Sequence, residues 1–127
     1  MHTILVVDDD PTFLKETEKM LNGAGYRVLQ AMDGKSAARI LDELNGQIDL
    51  AIVDLSLPGI NGFELIGAVT RRPNSMKVIA TSAVFKDVQL ETATAVGAHA
   101  VIRKPQTVKR LPHQEWLRTI EQLIGES

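Results

Sequence analysis

An acidic triplet and a more distant aspartate in the sequence could bind a metal ion together. Asp8, Asp9 and Asp10 follow the first apolar run of the chain, and Asp54 follows the third. Asp10 precedes a proline, so we expect it to cap a helix and leave the other three carboxylates for chemistry. Three ionised carboxylates about 5 Å apart repel one another by about 3 kcal/mol per pair at an effective dielectric of about 20. Such a cluster shifts its pKa values or binds a cation, and oxygen ligands favour a hard ion such as Mg²⁺.

A hydroxyl and an ammonium complete the set of groups expected near these carboxylates. Ser82 follows the fourth apolar run, and Lys104 follows the fifth. A carboxylate nucleophile, a metal ion, a hydroxyl and an ammonium are the groups that hold a phosphoryl group on an aspartate. The set therefore predicts that Asp54 accepts a phosphoryl group. For the acidic triplet alone, a helix cap within a solvated turn is the simpler alternative.

Five short apolar runs are predicted to form strands. They are rich in valine and isoleucine and mostly continuous, which is typical of strands covered on both faces. The runs are Ile4–Val7, Tyr26–Leu29, Leu50–Val53, Val78–Ala80 and His99–Ile102. Because these runs alternate with helical segments, we expect an α/β fold with a parallel sheet and helices on both of its faces. Ligands bind such sheets beyond the carboxyl ends of the strands, where the polar residues described above are expected to meet.

Apolar residues at helical spacing separate the runs, and capping residues agree with this pattern. Asp10, Asp33 and Asn61 are predicted to cap the first three helices, and Gly23 is predicted to end the first one. The fourth helix, over Lys86–Val96, carries few large apolar residues. The last helix has a clear apolar stripe that is expected to face the sheet.

The composition argues against several classes of site and partner. A chain of 127 residues has the size of one domain, and we expect no second domain within residues 1–127. The absence of cysteine rules out disulfides and thiolate metal sites. A formal net charge of −2 gives no basic surface for nucleic acid or for an anionic membrane. The chain shows neither a signal peptide nor an apolar run of membrane-spanning length, so a cytoplasmic location is expected.

The sequence resembles the receiver domain of bacterial two-component response regulators over almost its whole length. The matching segments are residues 4–11 (ILVVDDDP), 53–65 (VDLSLPGINGFEL) and 78–83 (VIATSA), and Gly97-Ala98 leading to Lys104-Pro105. The resemblance implies a doubly wound, flavodoxin-like sheet of five parallel strands in the order 2-1-3-4-5, with five helices. It also implies that residues 1–127 form a single receiver domain.

The resemblance assigns the acidic residues to phosphoryl transfer and metal binding. Asp54 matches the phosphoacceptor of the family. Asp8 and Asp9 match the acidic pair that binds Mg²⁺, with Asp9 favoured as the direct ligand. Asp54 and the backbone carbonyl of Ser56 are expected to complete the protein ligands of the ion.

Two further residues receive roles from the same resemblance. Ser82 matches the switch hydroxyl, which in this family is threonine or serine. Lys104 matches the lysine that binds the phosphoryl group. The peptide bond between Lys104 and Pro105 is expected to be cis, which is uncommon even before proline.

The function implied is that of a phosphorylation-controlled switch rather than an enzyme with an external substrate. A sensor histidine kinase or a phosphotransfer protein would donate the phosphoryl group, and the domain would catalyse only its own phosphotransfer and dephosphorylation. The altered surface would then bind an output protein or domain that the sequence does not specify. A homodimer could form through the face of the fourth helix, fifth strand and fifth helix, and no direct binding of nucleic acid or membrane is expected.

One residue departs from the family pattern and keeps an alternative open. Val101 stands three residues before Lys104, where the family usually has tyrosine or phenylalanine. Its short branched side chain has one stiff torsion, so it cannot act as the usual rotating ring. A degenerate receiver that binds partners independently of phosphorylation is therefore the alternative. A phosphatase of the haloacid dehalogenase kind is disfavoured, because Ser56 stands where those enzymes have a second aspartate.

Overall fold

The computed structural model describes residues 1–44, 46–57, 62–72, 76–83, 87–104 and 112–125, in which strands and helices alternate. In chain order the elements are β1 (Thr3–Val7), α1 (Pro11–Gly23), β2 (Arg27–Ala31), α2 (Gly34–Glu43), β3 (Leu50–Asp54), α3 (Gly62–Thr70), β4 (Lys77–Ser82), α4 (Asp87–Ala95), β5 (Ala100–Arg103) and α5 (His113–Ile124). All five predicted strands and all five predicted helices are present.

The five strands form one parallel sheet in the order β2-β1-β3-β4-β5, which confirms the expected fold class and strand order. β1 pairs with β3 through Ile4–Val7 opposite Leu50–Val53, and β3 pairs with β4 as far as Asp54 opposite Thr81. Every residue of β1 and β3 is buried, as the continuous apolar runs predicted for central strands. The carboxyl ends of β1, β3 and β4 therefore lie side by side.

Both outer strands begin one residue later than predicted and end beyond their predicted limits. β2 continues past the predicted end at Leu29, and β5 continues past the predicted end at Ile102. Each strand remains paired with its single neighbour through these extra residues. The added residues Gln30 and Arg103 are polar and exposed, whereas the added Ala31 is buried. The central strand β4, predicted over Val78–Ala80, likewise extends over Lys77–Ser82. The limits of a strand depend on its hydrogen bonds, which apolar runs do not report, so the prediction stopped short.

The helix ends agree with most of the predicted caps. The side chains of Asp10 and Asp33 accept hydrogen bonds from backbone N–H groups in the first turns of α1 and α2. α1 ends at Gly23 as predicted, and Gly25, two residues later, has a positive φ of 91°. The predicted cap Asn61 lies outside the described residues. Among the helices of the described chain, none combines the length and apolar character needed to cross a membrane.

The sheet separates the apolar interior into two layers, because successive side chains of a strand point to opposite faces. The layer beneath α1 and α5, called here the α1/α5 core, contains the buried residues Ile4, Val6, Phe13, Leu14, Met20, Leu21, Tyr26, Leu50, Ile52, Ile79, Ile102, Trp116 and Ile120. The layer on the other face, called the α2–α4 core, is formed by the alternate strand residues together with apolar side chains of α2, α3 and α4. The two layers hold the strand ends in place from both sides.

Helix α3 begins in direct contact with the end of β3. A Cβ atom at Gly62 would lie 2.6 Å from the Cα of Leu55 and closer still to the carbonyl oxygen of Asp54. Both are backbone atoms of a buried segment, so they cannot move aside independently of the sheet. Glycine is therefore required at residue 62 for space, and it allows the first turn of α3 to pack against Asp54.

We predict that Gly62→Ala lowers the free energy of unfolding by about 2 kcal/mol, because the added methyl displaces backbone at β3 or α3. Urea unfolding followed by circular dichroism measures this loss. Gly23→Ala is the matched control, since nothing lies within 4 Å of an added Cβ there. We expect that variant to be as stable as the parent protein or slightly more stable. Equal stability of the two variants would contradict the steric interpretation.

Candidate functional site

The polar residues predicted to form a site follow four adjacent strands. Asp8 comes directly after β1 and Asp54 ends β3, while Ser82 ends β4 and Lys104 comes directly after β5. The strand order places these four positions next to one another at the carboxyl end of the sheet. A backbone hydrogen bond of 2.9 Å from the Lys104 N–H to the carbonyl of Ser82 extends the pairing of β4 with β5 to this point.

Three aspartates form an acidic cluster at this end of the sheet. One carboxylate oxygen from each of Asp8, Asp9 and Asp54 lies within 4.8 Å of those from the other two. Asp8 has no exposed surface and Asp54 is 5% exposed, whereas Asp9 is exposed to solvent. The cluster therefore has a buried side, formed by the two strand-end carboxylates, and a solvent side at Asp9.

Backbone N–H groups orient the two buried carboxylates. Asp8 Oδ1 accepts a hydrogen bond of 2.9 Å from the N–H of Asp10, and Asp54 Oδ1 accepts one of 3.0 Å from the N–H of Ser56. Each bond spans two residues, so the local turn after each strand holds one oxygen of its carboxylate. The other oxygen of each, Oδ2, faces Lys104.

The ammonium of Lys104 lies between the two buried carboxylates. Its Nζ donates a hydrogen bond of 2.9 Å to Asp8 Oδ2 and lies 3.9 Å from Asp54 Oδ2. Lys104 is itself buried, so these interactions are poorly screened by water. In this state the lysine is closer to Asp8 than to Asp54.

One ammonium does not balance the charge of this cluster. Burial raises the pKa of Asp8 above its ordinary value, although the hydrogen bond from Lys104 acts in the opposite direction. Burial likewise raises the pKa of Asp54, against the opposing effects of the Ser56 N–H and of the Lys104 charge. Both carboxyls therefore hold protons more strongly than an exposed aspartate does, and an added cation would favour their ionised forms.

The donor set of this cluster suits a divalent cation such as Mg²⁺. The cluster offers carboxylate oxygens, which hard cations prefer, and within the described residues it holds three potential negative charges against one positive charge. Its solvent side at Asp9 leaves access for the water ligands that Mg²⁺ usually retains. The residues present at the end of the sheet thus fit the ion expected from the sequence.

The sequence also made predictions about Ser82, the Ser56 carbonyl, the Lys104–Pro105 bond and Val101. Ser82 is buried at the end of β4. The Ser56 N–H orients Asp54, while the assignment of the Ser56 carbonyl as a metal ligand stays a prediction. The bond between Lys104 and Pro105, expected to be cis, lies outside the described residues. Val101 is half-buried and packs against the α2–α4 core.

Sequence reasoning did not identify Phe13 as part of this site. The Lys104 Nζ lies over the face of the Phe13 ring, 4.5 Å from its centroid. Phe13 belongs to the first turn of α1, three residues after the cap Asp10, and is fully buried. Its position in the turn next to the acidic triplet was the available signal. An apolar residue in a helix is normally assigned to the core, however. The contact that gives Phe13 a place in the site is with Lys104, which is distant in sequence.

Comparisons of the sequence with known proteins agree with this geometry. The chain matches the family model of the response regulator receiver domain over residues 4–114. It is 33% identical over 103 residues to the response regulator GtcR of Aneurinibacillus migulanus, an alignment that covers 81% of this chain and 41% of that protein. It is 39% identical over 113 residues to the two-component response regulator ORR26 of Oryza sativa subsp. japonica, with coverage of 85% and 18%. The chain thus spans less than half the length of either relative.

Solved structures of response regulators have a similar fold. A CheY-like response regulator receiver domain protein from Methanospirillum hungatei is 27% identical and superposes with a TM-score of 0.84, covering 96% of this chain and 92% of that one. A putative response regulator from Chloroflexus aurantiacus is 28% identical, with a TM-score of 0.85 and coverage of 98% of both chains. On the strength of the family match, the sheet order and these relatives, the chain belongs to the response regulator receiver domain family.

Proposed function

We propose that Asp54 accepts a phosphoryl group in a Mg²⁺-dependent reaction and that phosphorylation changes how the domain binds a partner. The observation that supports this most strongly is the arrangement of one buried ammonium between two buried carboxylates, with a third carboxylate on the solvent side. The donor would be a sensor histidine kinase or a phosphotransfer protein, which implies a cytoplasmic setting. Within residues 1–127 we propose a single receiver domain.

Transfer begins with the ionised carboxylate of Asp54. One of its oxygens attacks the phosphorus atom of a phosphohistidine, so that a P–O bond forms while the P–N bond breaks and its electron pair stays on the imidazole nitrogen. Asp54 Oδ1 is engaged by the Ser56 N–H, whereas Oδ2 faces Lys104 without a hydrogen bond to it at 3.9 Å. Oδ2 is accordingly the oxygen that we assign to the attack.

The neighbouring residues would stabilise the transferred group. Lys104 needs only a short shift from Asp8 towards Asp54 to donate to a phosphoryl oxygen, and the hydroxyl of Ser82 would donate to another. Asp8, Asp9, Asp54 and the Ser56 carbonyl would hold Mg²⁺, which when bound neutralises negative charge on the phosphoryl oxygens. The added phosphoryl charge would then displace Lys104 and Ser82 from their present positions.

We predict that acetyl phosphate with Mg²⁺ adds a single phosphoryl group to this protein, because Asp54 is the oriented carboxylate beside the ammonium. Intact mass spectrometry detects the adduct, and Asp54→Asn should abolish it. Asp33→Asn is a matched control, since Asp33 follows the neighbouring strand β2 but serves as a helix cap, a role that asparagine also fills. An adduct that persists in Asp54→Asn, or none on the unsubstituted protein with acetyl phosphate or its kinase, would refute the proposal.

We predict that Asp9→Asn weakens Mg²⁺ binding at least about tenfold, equivalent to about 1.4 kcal/mol, because one charged oxygen ligand is lost. Isothermal titration calorimetry without phosphodonor measures this affinity. Since Asp9 is exposed, the free energy of unfolding of the metal-free protein should change little. Asp33→Asn again provides the comparison, and an affinity equal to that of the unsubstituted protein in Asp9→Asn would exclude Asp9 as a ligand.

We predict that Asp54→Asn stabilises the metal-free protein at pH 7 and that this gain disappears as the pH falls towards about 4, the pKa of an aspartate in the unfolded chain. The pKa of Asp54 is raised in the folded state, so the folded protein binds the proton more tightly than the unfolded chain. The protonated Asp54 carboxyl therefore stabilises the folded protein fully at low pH, and this stabilisation is lost as the pH rises through the folded pKa of Asp54. Asparagine is neutral at every pH and does not lose it. Urea unfolding in the presence of a chelator, at several pH values, tests the trend; a gain that grows on acidification would contradict it.

A further inference from the structure

The ammonium of Lys104 is enclosed by a ring as well as by carboxylates. Its Nζ lies 4.5 Å from the centroid of Phe13, within the range at which an aromatic face attracts a cation. The same atom contacts Asp8 at 2.9 Å and approaches Asp54 at 3.9 Å. Phe13 and Asp8 are both fully buried, so the attraction operates away from bulk water.

Phe13 in turn packs against helix α5. Its ring centroid lies 5.8 Å from that of Trp116, with an angle of 56° between the ring planes, a tilted geometry that aromatic pairs favour. Trp116 is fully buried and belongs to the α1/α5 core, as Phe13 does. A continuous contact therefore runs from the ammonium through two rings to α5.

This contact lies on the face of the sheet opposite Val101. Ile102 of β5 belongs to the α1/α5 core, whereas Val101 packs against the α2–α4 core. Residue 101 is the position at which the family usually has tyrosine or phenylalanine, and this chain has a short aliphatic side chain there. Within the described residues, the ring that contacts Lys104 is that of Phe13 in α1, which in turn packs against Trp116 of α5.

We propose that Phe13 is a positioning residue for Lys104 and that its contact with Trp116 couples the state of the site to helix α5. This inference rests on the proposed phosphorylation of Asp54. A ring face attracts the ammonium without offering it a hydrogen-bond acceptor, so it confines Lys104 while leaving its donors available. Lys104 can then exchange Asp8 for a phosphoryl oxygen, and its movement over the ring changes the surroundings of Trp116.

The rate of phosphorylation tests the positioning role. In Phe13→Leu, which retains an apolar side chain without a ring, we expect acetyl phosphate to phosphorylate Asp54 about threefold to tenfold more slowly at saturating donor. The affinity for Mg²⁺ should be unchanged, because Asp8, Asp9 and Asp54 keep their ligand atoms. Ile120→Val, which removes a methylene from the same core, is the matched control and should retain the parent rate at a temperature where both variants are folded.

The emission of Trp116 tests the coupling. It is the only tryptophan of the sequence, so its fluorescence, excited selectively over that of Tyr26, reports the surroundings of this ring. We expect emission to change when Mg²⁺ and beryllofluoride, or acetyl phosphate, are added to the unsubstituted protein. The change should be lost or strongly reduced in Phe13→Leu at equal phosphorylation, and it should persist in Val101→Ala.

The outcomes separate this inference from the proposed function. If intact mass shows full phosphorylation but Phe13→Leu reacts at the parent rate, or Trp116 emission does not respond in the unsubstituted protein, the inference is wrong while the proposed function stands. If no phosphoryl group is taken up at all, both fail. Should Phe13→Leu not fold, the response of Trp116 in the unsubstituted protein and in Val101→Ala still decides the coupling.

Discussion

The Lys104 ammonium lies 2.9 Å from Asp8 and 3.9 Å from Asp54, in a cluster that also includes the carboxylate of Asp9. Asp8 and Asp54 extend from adjacent central strands, so they cannot separate to relieve their repulsion without breaking the sheet. The excess negative charge makes the cluster receptive to a cation, and the nearby ammonium makes it receptive to an anion held by that cation. Both properties arise because the single positive charge of the buried ammonium does not neutralise the carboxylates around it.

The rest of the fold keeps these charges in place. The two carboxylates follow or end the fully buried strands β1 and β3, and the apolar layers packed on both faces hold these strands in place. Backbone N–H groups of Asp10 and Ser56 hold one oxygen of each carboxylate. Gly62 lets α3 pack directly on the peptide of Asp54. The site is thus supported mainly by backbone geometry, which explains why short segments of the sequence suffice to recognise it.

Much of this architecture could be predicted from sequence, because the decisive signals are local. Continuous apolar runs identified the central strands, and the rule that parallel strands end together placed Asp8 near Asp54. The strand order came from family resemblance, since it depends on long-range pairing. The role of Phe13 was missed because its contact with Lys104 joins residues that are far apart in sequence. The end of α1 at Gly23 was predicted correctly, because glycine is a local signal for the end of a helix.

The outer strands of the sheet have a consequence for association between copies of this domain. β2 and β5 form the two edges, and both are short. β2 carries the exposed side chains of Arg27 and Gln30, and β5 carries the exposed side chain of Arg103. Charged residues on short edge strands oppose the strand-to-strand addition by which sheets aggregate. Gln30 and Arg103, which lie beyond the predicted apolar runs, are therefore among the residues that disfavour edge-to-edge pairing between copies of the domain at high concentration.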